Sequence, residues 1–149
     1  MEPNGGITGE EWWYNGGGER KTNMNKNQTL NKNQTLNTFK RQFKRWSYMV
    51  EHYGWKYTVQ YYDSYEDMPE EFQTESCAAG TIVHFKYLEA AIYVNLKMCA
   101  RMDEKGIEYI VIHELTHLLV SPLQENSEST PLEYSVTSIA RIFQGLRSQ

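Results

Sequence analysis

His113 and His117 stand four residues apart, with Glu114 directly after the first, in the run His113-Glu114-Leu115-Thr116-His117. This spacing constrains the chain more than any other feature, because it carries chemistry in one backbone conformation only. On an α-helix, residues i and i+4 lie one turn above each other, so both imidazoles can reach a single metal ion. Glu114 then projects near the same face, where its carboxylate can hold a water at that ion. On a strand or an irregular loop the three side chains diverge. For the motif to act, the chain around it has to be helical.

The surrounding pattern predicts such a helix over residues 103–120. Asp103 is a suitable N-cap, Glu104 suits the positive first turn, and Pro122 closes the far end. Ile107, Ile110, Val111, Leu115, Leu118 and Leu119 recur at helical spacing and form an apolar arc. His113 and His117 fall beside that arc, with Glu114 between the two faces. The helix is therefore expected to lie between a core and a cleft. Gly106 weakens it by about 1 kcal/mol relative to alanine.

A catalytic metal site usually takes three protein ligands and keeps one position open. The third donor has to come from another part of the chain. Residues 129–133 read as the start of a further helix, with Thr130 as N-cap and Pro131 in the first position. Val136, Ile139, Ala140, Ile142 and Phe143 supply its apolar stripe. Glu133 is the first acidic residue inside it. A connection of roughly ten residues lets this helix fold back antiparallel and bring Glu133 to the imidazoles. Thr130 and Glu133 equally fit a capping box, in which the glutamate only bonds the cap residue's amide. Glu125, Glu128 and the more distant His84 are the other candidate donors.

His113-Glu114-x-x-His117 followed by Glu133 on the next helix resembles the gluzincin group of zinc metallopeptidases. In its small size the chain resembles the minimal metallopeptidases of phages and mobile elements rather than the large secreted enzymes. The resemblance spans roughly residues 38–146, and its specific part is the two C-terminal helices. It implies a zincin-like fold, one zinc ion per chain held by His113, His117 and Glu133, Glu114 as catalytic base, and a peptide or protein substrate. It also implies an edge strand that pairs with extended substrate, for which residues 91–96 are the candidate. An oxyanion donor is implied too, with Tyr134, Tyr109 and His84 as candidates. One position departs from the pattern. Many gluzincins carry an aspartate four residues after the ligand glutamate, bonded to the first histidine, and here that residue is Thr137. A hydroxyl orients an imidazole less firmly, and losses of this kind cost about 10–100-fold in metal affinity or activity. Thr137 thus keeps a second reading open, a zinc-stabilised interaction module with little or no turnover.

The remainder of the chain reads as one α+β domain over residues 37–149. A helix is expected over 37–53, burying Phe39, Phe43, Trp46, Met49 and Val50 and ending at Gly54. Trp55, Tyr57, Val59 and Tyr61 then alternate with Lys56, Thr58, Gln60 and Tyr62, which predicts a strand. Residues 63–76 are acidic, contain Pro69 and suggest an exposed loop. Strands are expected near 81–87 and 91–96, joined without a glycine turn signal. Residues 1–36 repeat Asn-Lys-Asn-Gln-Thr-Leu in tandem and hold few apolar groups beyond Trp12-Trp13-Tyr14. A disordered tail is the expectation there.

Partners and compartment follow from charge and hydropathy. The net charge of -4 provides no long-range attraction for nucleic acid. Lys40, Arg41, Lys44 and Arg45 are then the solvated face of the first helix, a phosphate-binding face being the rival reading. No apolar run reaches the ~20 residues of a membrane span, and the N-terminus lacks a signal-peptide pattern. Cys77 and Cys99 lack C-x-x-C spacing and form no disulfide framework. A cytoplasmic protein with reduced thiols is the economical expectation.

Overall fold

The structure is a computed structural model that describes residues 31–121 and 129–146, with only the backbone given at 129–132 and 134. Residues 1–30, with Trp12-Trp13-Tyr14, lie outside the described residues, as do Pro122, Glu125 and Glu128. Helix α1 runs Lys32–Trp46, five residues ahead of the expected start. Its first turn is the second copy of the hexapeptide. The Asn31 side chain accepts the Gln34 amide at 2.9 Å, and the Gln34 side chain accepts the Asn31 amide at 2.9 Å. This reciprocal cap satisfies two donors that would otherwise be orphaned. Thr35 and Thr38 face inward and donate to the carbonyls of Asn31 and Gln34. Residues 31–36 therefore do not belong to the expected disordered tail: their polar side chains are used by the helix itself.

Ser47 separates α1 from the short α2 (Tyr48–Glu51), and Gly54 turns the chain with φ 85°. Strands β1 (Lys56–Tyr62), β2 (Ala79–His84) and β3 (Glu89–Asn95) form one sheet in the order β1-β3-β2. β1 runs parallel to β3 and β2 antiparallel to it. The β2–β3 connection is a short turn ending at Leu88, whose φ of 51° is unusual for a side chain of this size. That explains the missing glycine signal. β3 is the central strand, so residues 91–96 do not supply the substrate-pairing edge. Both sides of β3 are already bonded, and the outer strands are β1 and β2.

The sheet lays one face on the helices. Tyr57, Val59 and Tyr61 from β1 align with Ala90, Ile92 and Val94 from β3, and these with Val83, Thr81 and Ala79 from β2. On the opposite face the Phe72 ring lies over Gly80 and against Tyr93 at 5.6 Å between ring centroids. A Cβ on residue 80 would sit 2.4 Å from that ring. Gly80→Ala should therefore dislodge Phe72 and destabilise the fold by about 1–3 kcal/mol. In a Phe72→Ala background the same substitution should be nearly neutral in urea denaturation. Additive penalties would refute this contact as the cause.

After the one-turn α3 (Leu96–Cys99), helix α4 (Glu104–Val120) passes through the middle of the domain. Asp103 caps it by accepting the Gly106 amide at 2.8 Å, as expected. The helix is buried further round than the arc predicted: every residue from Ile110 to Thr116 is buried. α1, α5 (Ser129–Leu146) and β2 all pack against it. Ile107, Ile112, Leu115 and Leu118 are fully buried, each contributing about 1.5–3 kcal/mol relative to exposure. α5 begins at Ser129, so Thr130 and Pro131 are helical, and Thr130 is not the flanking cap. Gln144 near its end donates to the Lys105 carbonyl at the start of α4, which sets the two helices antiparallel. Among the described residues no helix is long and apolar enough to cross a membrane.

Candidate metal centre

The i, i+4 spacing on α4 brings the two imidazoles together. His113 Nε2 and His117 Nε2 are 3.3 Å apart. The antiparallel return of α5 adds Glu133, whose Oε1 lies 2.9 Å from His113 Nε2 and whose Oε2 lies 3.5 Å from His117 Nε2. One donor atom from each of the three residues falls within 4.8 Å of the others, a group that could hold a metal ion. The spacing suits such an ion. Bonds of about 2.1 Å in a tetrahedral arrangement separate neighbouring donors by about 3.4 Å.

Electrostatics favour the same use. Burial lowers the pKa of His117 below its ordinary 6.5, outweighing the pull of Glu114. The hydrogen bond with His113 and the charges of both imidazoles hold Glu133 below the ordinary carboxylate value, against desolvation. Neutral imidazole and ionised carboxylate are the forms that ligate metal. His113 leans the other way: burial disfavours its charge, but the Glu133 hydrogen bond and the charges of Glu114 and Glu133 raise its pKa overall. The pocket is lopsided in exposure. The His113 and His117 side chains are 10% and 16% exposed and that of Glu133 is 55% exposed, so water reaches the group from the α5 side.

Glu114 is 5% exposed and lies close enough for its charge to act on both imidazoles. It accepts a hydrogen bond from Thr81 Oγ1 at 2.6 Å, a partner that sequence reasoning missed. A threonine in the core-facing row of β2, among apolar neighbours, was the available signal. The same carboxylate adds to burial in pushing the Cys77 thiol up to about 11, so Cys77 stays protonated and unreactive at neutral pH. Cys77 and Cys99 are both free.

The other expected residues divide. The Tyr109 ring packs on the His113 ring at 5.9 Å between centroids, one turn earlier on α4. Thr137 is half-buried on α5. It does not take the place of the aspartate, since among the described residues His113 Nδ1 is buried without a hydrogen-bond partner. His84 is exposed at the end of β2, on the sheet face opposite Thr81, and is outside the ligand group. The Tyr134 side chain lies outside the described residues. Comparison with models of protein families, with curated proteins and with solved structures gives no match to the chain.

Proposed function

We propose that this chain is a zinc-dependent metallopeptidase of the gluzincin type with a zincin-like fold. What carries the reading is the convergence of His113, His117 and Glu133 beside the buried carboxylate of Glu114. Two imidazoles and one carboxylate are a usual catalytic zinc set. Bound zinc supplies a Lewis acid that polarises the scissile carbonyl and lowers the pKa of water toward ~7. Glu114 accepts the proton of the attacking water and passes it to the leaving amine. Its burial excludes bulk water from that transfer, and Thr81 holds one of its oxygens. The outer edge of β2, in place of residues 91–96, is where an extended peptide would add by backbone hydrogen bonding.

The test is hydrolysis of an unstructured peptide library by the zinc-loaded protein. Cleavage should stop on chelation and return when zinc is restored. A library left intact at every zinc concentration would reject the peptidase. One observation favours the second reading, a zinc-stabilised interaction module: among the described residues His113 Nδ1 has no hydrogen-bond partner, and a ligand imidazole without one costs about 10–100-fold in metal affinity or activity.

A further inference from the structure

The core-facing side of the sheet is apolar across its middle row, Val59 and Ile92, until it reaches Thr81. A hydroxyl aimed at a packed core costs free energy unless it finds a partner. Thr81 Oγ1 finds one by donating to Glu114 Oε2 at 2.6 Å. Threonine is β-branched and stiff about χ1, so the strand backbone fixes the direction of that bond.

We infer that Thr81 is a positioning residue for the base, pinning Oε2 of Glu114 so that its other oxygen faces the water and the leaving group. The inference rests on the peptidase reading. It gives β2 two roles, because the strand offers its outer edge to an extended chain and also holds the carboxylate that would act on it. A peptide laid along β2 therefore bears on the base through one backbone.

The experiment compares Thr81→Val, which keeps the shape and removes the hydroxyl, with Thr81→Ser, which keeps the hydroxyl and removes a methyl. In zinc-loaded protein Thr81→Val should lower kcat by roughly 10-fold or more with KM unchanged, as expected when a reacting group loses its orientation. Thr81→Ser should recover most of the loss. A second readout needs neither metal nor turnover: the carboxyl carbon of Glu114, labelled with carbon-13 and assigned through Glu114→Gln, should shift in Thr81→Val and return in Thr81→Ser. If the resonance does not move, or Thr81→Ser is as impaired as Thr81→Val, the role of Thr81 is overturned while the peptidase stands. If the wild-type protein shows no Glu114-dependent hydrolysis, the peptidase falls, and the positioning role with it.

Discussion

Glu114→Gln should leave a full complement of zinc in the protein and lower peptide hydrolysis by about 100-fold or more, the share a positioned acid–base group commonly supplies. Glutamine preserves the size of the side chain, and its carbonyl oxygen can still accept the Thr81 hydroxyl that now reaches Oε2 at 2.6 Å. It cannot take a proton at neutral pH. The fold should not suffer, because the substitution removes a carboxylate that is only 5% exposed, and an uncharged amide is less costly to bury. Metal analysis and kcat on one preparation decide the matter. Hydrolysis persisting at the wild-type rate would remove Glu114 from the chemistry.

Glu133→Ala should have the opposite profile, losing the metal and with it everything that depends on the metal. The site would fall from three donors to two, both on one helix. A ligand present at about 1,000 times its dissociation constant stabilises a fold by about 4 kcal/mol. In the wild-type protein this should appear as a rise in melting temperature on adding zinc. In Glu133→Ala the rise should disappear over the same concentrations, and stoichiometric zinc should not co-purify. A variant that still bound one equivalent tightly would assign the third donor elsewhere. Because α5 reaches the site through Glu133, the variant should also exchange α5 amides faster than the zinc-loaded wild type does.

Much of the site was legible because its parts are local. The i, i+4 histidines, the Asp103 cap and the apolar spacing of α4 lie within 18 consecutive residues, and helical geometry converts that spacing into convergence. Glu133 could be inferred since an antiparallel helix pair has few ways to return. The sheet was less legible. Alternation assigned faces to β1, but strand order depends on pairing between distant segments, and the parallel match of β1 to β3 has no local signature. For that reason residues 91–96 read as an edge from sequence and are central in the fold. The start of α1 is hidden in a different way. Asn31 and Gln34 have the spacing of a cap, but they sit in a tandem polar repeat whose composition suggested disorder. A cap is read from positions, and averaging over composition hides it. Thr81 was missed because a threonine in a strand is unremarkable until its opposite number is known.

The uneven exposure of the three donors has a kinetic consequence. Two imidazoles held in the interior of the domain could not withdraw from a bound ion without disturbing the core, whereas a side chain that is 55% exposed could swing aside. Loading and escape of the ion would then share one doorway, with Glu133 as its latch. How quickly the protein surrenders its metal to a competitor would be set by the freedom of α5 rather than by the strength of the histidine bonds.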